Sequence, residues 1–146
     1  MPMFSRNATV NWSGTVKEGS GTAKAATGAF SVPVSFGRRV GEPEGVTSPE
    51  ELIAAAHASC YAMALNAHIG RKGGAIETTR VTATVEAEFE NGITIKASRL
   101  EVVAEGLSGV DVGDFPDLAA EASDNCPVSK ALKGSLIVEV TSATVK

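Results

Sequence analysis

Two thiols are the side chains most able to do chemistry in this chain, Cys60 within EELIAAAHASCYAMAL and Cys126 within SDNCPVSKAL. A thiolate is a nucleophile, a metal ligand and a redox centre, so each cysteine reads as inert packing, as a ligand or as a reagent. With Cys60 at zero on a helical wheel, Ile53, Ala56, Met63, Ala64 and Ala67 fall within about 60° of it. Cys60 is therefore expected at the centre of an apolar stripe. Burial there raises a thiol pKa and opposes reactivity unless a cation stands nearby. Arg38 and Arg39, on the segment before the helix, and His57, one turn upstream, are the candidate cations. His57 lies at the edge of the stripe and reads first as a packing histidine.

Cys126 precedes Pro127, which opens a short helix, so backbone N–H groups are expected to point toward its sulfur and favour the thiolate. A cysteine that merely ends a helix is the alternative, and local pattern leaves both open. His57, Cys60, His68 and Cys126 would make four metal ligands, but the paired C-x-x-C spacing usual for zinc is missing. A serine-nucleophile elbow, a phosphate-cradling glycine loop and a dinucleotide fingerprint are absent from the sequence.

The elements that must position these residues can be read from periodicity. From Arg6 to Phe36 the chain reads as extended, with Val10 and Trp12 alternating with polar neighbours and a turn at EGSG. AFSVPVSF puts Phe30, Val32, Val34 and Phe36 on one face, and Pro33 marks an edge strand. GRRVGEPEGVT then reads as a loop carrying both arginines. Ser48, Pro49 and Glu51 have the spacing of a helix cap, and the helix is expected to run to about Ile69 and end at Gly70 or at Gly73–Gly74.

Val81, Ala83, Val85, Ala87 and Phe89 alternate up to Asn91-Gly92, the signal of a tight type I′ turn. The return strand keeps Ile93, Ile95 and Ala97 in phase, then shifts to Leu100, Val102 and Ala104, which predicts a bulge near Ser98–Arg99. FPDLAAEASDN reads as a second helix, capped by Asp114 and stopped by Pro127. PVSKALK is a short helix and SLIVEVTSATV the last strand. The order implies a single α+β domain over residues 1–146 with an antiparallel sheet.

Composition narrows the function classes. A formal charge of −4 with only 5% aromatic residues disfavours both phosphate-backbone binding and base stacking, so no nucleic-acid partner is expected. No run of apolar residues approaches a membrane span and no signal-peptide pattern opens the chain, so a cytoplasmic protein without a membrane partner is expected. In that reducing compartment a permanent disulfide is not expected.

TSPEELIAAAHASCYAMAL together with SDNCPVSKALK resembles the OsmC/Ohr family, the osmotically inducible protein C and organic hydroperoxide resistance proteins. The resemblance extends from the NWSG strand to the last strand, and AAHASC with the preceding arginines is closer to the OsmC branch. It implies an intertwined homodimer with a long central helix, and a thiol-dependent peroxidase that reduces hydroperoxides, organic ones especially, in peroxide or osmotic stress defence. No metal or other cofactor is implied, but an external dithiol reductant is, with a lipoyl-type dithiol one candidate.

Carried over by motif, Cys60 matches the peroxidatic cysteine, Cys126 the resolving one, Arg39 the arginine that stabilises the thiolate and Glu50 the glutamate that orients it. Glu50 and Cys60, ten residues apart on one helix, are separated by about 15 Å along its axis. A site that uses both is therefore expected to lie at a subunit interface. The competing reading is a non-catalytic dimeric protein of the same fold that binds a small apolar ligand or a metal.

Overall fold

The computed structural model describes residues 2–146. The chain divides at Pro49–Glu50 into two compact units. The first holds three antiparallel strands, β1 (Ala8–Ser13), β2 (Ser20–Ala25) and β3 (Ser31–Val34), in the order β1-β2-β3. β3 is an edge strand, as Pro33 requires, since proline cannot donate to a ladder. The arginine segment is not a loop. Phe36–Val40 forms a short helix, α1, because the Ser35 side chain accepts a hydrogen bond from the Arg38 amide and closes its first turn.

Helix α2 (Pro49–Arg71) begins where the cap spacing places it, with Glu50 and Glu51 in the first turn. It continues through Gly70 and ends on a Schellman motif. Gly74 N–H bonds Ile69 C=O, Gly73 N–H bonds Gly70 C=O, and Gly73 takes φ +85°. In length and mean hydropathy α2 also qualifies as a membrane span, contrary to the expectation that no segment would. The buried face holds His57, Tyr61, Leu65, His68 and Ile69, a pattern of a core helix with polar anchors.

The second unit is built on β4 (Ala75–Phe89), β5 (Ile93–Ser108) and β6 (Ile137–Val145), with β5 central. Asn91 and Gly92 both take positive φ, as the turn signal requires, but the ladder closes at Phe89↔Ile93, so the loop has a third residue. The bulge also lies earlier than expected. Glu86 pairs with Ala97 and Ala87 with Ile95, leaving Lys96 as the extra residue. Ser98 already belongs to the buried face, so the phase must change before it.

β6 runs parallel to β5 rather than antiparallel, which departs from the all-antiparallel expectation. The connection is long enough for a crossover, and it carries a 3-10 turn (Val112–Asp114), α3 (Phe115–Asn125) and α4 (Pro127–Leu132). Arg99 on β5 is bonded to Glu86 on β4 and to Glu139 on β6, tying the three strands together. Tyr61, Leu65 and Ile69 of α2, Leu100, Val102 and Ala104 of β5, Phe115, Leu118, Ala119 and Ala122 of α3, and Cys126 form the core.

The left-handed backbone at Gly73 gives a direct test. No atom would meet a Cβ there, so Gly73→Ala meets only the backbone penalty. It is expected to cost about 1 kcal/mol, measured by chemical unfolding, while Gly70→Ala inside α2 should be neutral or stabilising.

Candidate functional site

α2 carries more apolar residues than one buried face can take. The core receives His57, Tyr61, Leu65, His68 and Ile69, a stripe centred about 100° around the helix from Cys60. The stripe expected around Cys60 is the flank instead: Ala56 and Ala67 are exposed, Met63 is 72% exposed and Cys60 is half-buried. Cys60 is thus a partly accessible thiol at the rim of the core, not a residue at its centre.

Cys126 is fully buried and caps α4. Its Sγ accepts the Ser129 amide at 3.5 Å. The expectation of amides directed at this sulfur is met at Ser129. The structure also brings the two thiols near each other: Cys60 packs against the core cluster that holds Cys126, and both Cys126 and the Val128 backbone act on its pKa. The Val128 contact favours the thiolate, so it is an N–H donor. Burial nonetheless pushes the Cys60 pKa up, the Val128 amide works against it, and the Cys126 thiol adds to the rise. Cys126 also helps burial to raise the pKa of Tyr61, whose hydroxyl donates to Ala119 C=O at 2.8 Å.

His57 is a buried histidine with both ring nitrogens engaged, as the packing reading anticipated. Nδ1 lies 2.6 Å from Ser98 Oγ and Nε2 lies 2.8 Å from Ser129 Oγ. Ser123 Oγ donates to Ser129 Oγ at 3.2 Å. Ser129 has one hydroxyl proton, and with Ser123 already donating to it, that proton is best placed on Nε2. Nδ1–H then donates to Ser98 Oγ, so each ring nitrogen has a partner of the right kind. An imidazolium would have to donate from both nitrogens and would leave the Ser129 proton without its acceptor. No pattern in the sequence marks Ser98, Ser123 or Ser129, because they meet His57 only through the pairing of β5 and the course of α3 and α4.

The four residues of the metal reading do not act as one ligand set. Both nitrogens of His57 are taken by serines and His68 Nε2 is bonded to Glu121 at 2.7 Å. Among the described residues no three His, Cys, Asp or Glu side chains gather as a metal site. Arg39 stands on α1 in the first unit, and Glu50 in the first turn of α2. Arg38 is committed locally, to Glu44 at 2.8 Å and to Glu42 C=O at 3.2 Å.

Burial lowers the His57 pKa below its ordinary 6.5. The unfolded chain thus takes up a proton at a pH where the folded chain does not, so stability is greatest above about pH 6.5 and falls as pH drops toward the folded pKa. Urea unfolding between pH 8 and 5 is expected to show this decline, and His57→Gln, which cannot titrate, is expected to reduce its slope.

The chain matches the family model described as OsmC-like protein over residues 41–141, which includes both cysteines and the histidine–serine network. It is 35% identical over 133 residues to peroxiredoxin OsmC of Escherichia coli, covering 88% of this chain and 90% of that one. It is 29% identical over 97 residues to organic hydroperoxide resistance protein-like 2 of Staphylococcus epidermidis, covering 64% of this chain and 66% of that one. The fold is shared with an organic hydroperoxide resistance protein from Elizabethkingia anophelis, at a TM-score of 0.75 and 24% identity over 99% of both chains. A long helix bearing one thiol against a second thiol at the start of α4, matched over most of the sequence, makes this chain a member of the OsmC-like protein family.

Proposed function

We propose that this protein is a peroxiredoxin-like enzyme that reduces hydroperoxides, organic ones especially, with Cys60 as the attacking thiol and Cys126 as the resolving one. The observation that carries the reading is that a half-buried Cys60 packs against the core cluster that holds a fully buried Cys126, which acts on its pKa. The names of the relatives in Escherichia coli and Staphylococcus epidermidis agree with it.

In this reaction the Cys60 thiolate attacks one peroxide oxygen. The O–O bond breaks, Cys60 becomes a sulfenic acid, and the other oxygen leaves as an alcohol after taking a proton. The Cys126 thiolate then attacks the Cys60 sulfur, forming the disulfide and releasing water. An external dithiol, for which a lipoyl type is one candidate, reopens it by exchange. The partial exposure of Cys60 lets substrate reach the first sulfur, and the burial of Cys126 keeps the second for the intramolecular step.

Burial holds Cys60 toward its protonated form, so the reaction requires a cation at the thiol. Arg39 is assigned that part by its match to the family's arginine. A guanidinium also offers paired donors to the charge on the departing oxygen. Glu50 is assigned to orient Arg39. Its carboxylate begins about 15 Å along α2 from Cys60, so a second copy of the chain most simply completes each site.

The apolar flank of Ala56, Met63 and Ala67, together with the exposed Val10 and Trp12 of β1, supports an intertwined homodimer. The proposed setting is the reducing cytoplasm, where a dithiol reductant is at hand.

With cumene hydroperoxide and a dithiol, Cys60→Ser is expected to abolish turnover, and Cys126→Ser to consume about one equivalent and stall. Turnover at wild-type rate in both variants overturns the proposal. Arg39→Ala is expected to slow peroxide reduction about 100-fold. Met63→Glu is expected to shift the sedimenting species from dimer toward monomer; a wild-type monomer with full activity would exclude the shared site.

A further inference from the structure

The mechanism above uses the two sulfurs but leaves unexplained a buried polar chain directly behind them. His57 sits on α2 one turn before Cys60, and its Nε2 is 2.8 Å from Ser129 Oγ on α4. The same Ser129 donates its backbone amide to Cys126 Sγ. The imidazole is held from the other side by Ser98 of β5 at 2.6 Å, and Ser129 is braced by Ser123 of α3 at 3.2 Å. All four residues are buried. The chain therefore ties the start of α4 to α2 and to the central strand.

We propose that His57, Ser98 and Ser129 form a positioning unit that holds the first turn of α4 against α2, so that the Cys126 sulfur stays within reach of Cys60 for disulfide closure. His57 does not touch the substrate or either sulfur in this assignment; it acts through Ser129. The constraint is the registration of α4. α4 has only six residues, Pro127–Leu132, and its first turn has to carry Cys126 at the cap, a Val128 amide facing Cys60 and a Ser129 amide facing Cys126.

A helix that short has little intrinsic persistence, and isolated helices of this length are marginal in water. Apolar contact alone lets it slide; a directional hydrogen bond from Ser129 to a ring that is itself clamped by Ser98, with a second bond from Ser123 to Ser129, does not. Closure of the disulfide is the step most sensitive to such sliding, since it needs the attacking sulfur in line with the bond to be broken, and small displacements cost large factors in rate. Attack by Cys60 on an external reagent asks less of α4. The unit should thus divide the two chemical steps.

The inference deepens the peroxidase reading by assigning residues to its second step, yet it is tested without peroxide. Dithiodipyridine reacts with the accessible Cys60 to form a mixed disulfide and release one pyridinethione. The Cys126 thiolate then displaces the second pyridinethione and forms the Cys60–Cys126 bond. Stopped-flow absorbance follows the two releases separately in the full-length protein.

Ser129→Ala and His57→Leu are expected to release the first equivalent within about two-fold of wild type and the second at least about ten-fold more slowly. His57→Gln, whose amide reaches the place of Nε2, is expected to restore most of the second rate. Ser129→Ala changes a single oxygen, so it carries the test if His57→Leu fails to fold. Wild-type closure in Ser129→Ala, or closure in His57→Gln as slow as in His57→Leu, overturns the inference. If the wild-type protein consumes no cumene hydroperoxide while closure still depends on Ser129, the peroxidase reading falls and the positioning unit stands.

Discussion

The second unit depends on one neutral imidazole buried between two serines. His57 joins α2 to β5 through Ser98 and to α4 through Ser129, each bond shorter than 3 Å. A buried polar group that loses its partner costs about 1–3 kcal/mol, whereas a satisfied one is close to neutral. The arrangement is consequently intolerant of partial occupancy: α2, β5 and α4 meet at one spacing or the ring is stranded. Desolvation keeps the ring uncharged, and the uncharged ring is the form that can accept from one serine while donating to the other. Packing, protonation state and the position of α4 are thereby one condition.

The crossover between β5 and β6 explains how a thiol so far along the chain comes back to the helix. A parallel pairing needs a long connection, and here it is filled by α3 and α4, which lie over the face that α2 also covers. Phe115, Leu118, Ala119 and Ala122 bury α3, and the helix ends where Cys126 leaves the helical conformation and caps α4. Proline at the first position of α4 has no amide to lose, so the amides that follow it at Val128 and Ser129 can serve the sulfurs. In the proposed reaction a backbone donor, the Ser129 amide, accompanies the two side chains.

α2 has two apolar sides, and the chain uses one of them. Tyr61, Leu65 and Ile69 enter the core with no exposure, while Met63 on the adjoining flank remains 72% exposed. Cys60 stands between the two, packed against the core that holds Cys126 and near enough to the flank to meet solvent. That intermediate place balances access against desolvation. A fully buried thiol would be unreachable, and a fully exposed one would lose its place near the second sulfur.

Much of this protein was legible in its residues because the signals are local. Ser48-Pro49 marked the start of α2, Asn91-Gly92 the hairpin, and Pro127 the boundary between α3 and α4, since cap, turn and proline geometries are set by neighbouring atoms. The resemblance carried by AAHASC and DNCPVSK nominated the two cysteines from equally local motifs. What the sequence could not convey was which side of α2 is buried, because an alanine-rich helix shows nearly the same periodicity on either flank. Nor could it convey that β6 lies parallel to β5, that the bulge falls at Lys96, or that α1 carries the arginines, because these follow from long-range pairing or from a single capping bond. By itself the sequence determined the elements and nominated the thiols. Only the tertiary structure decided that Cys60 sits at the rim of the core, because that depends on which face of α2 packs against β5 and α3, and that His57 is an anchor, because its two serine partners come from β5 and α4.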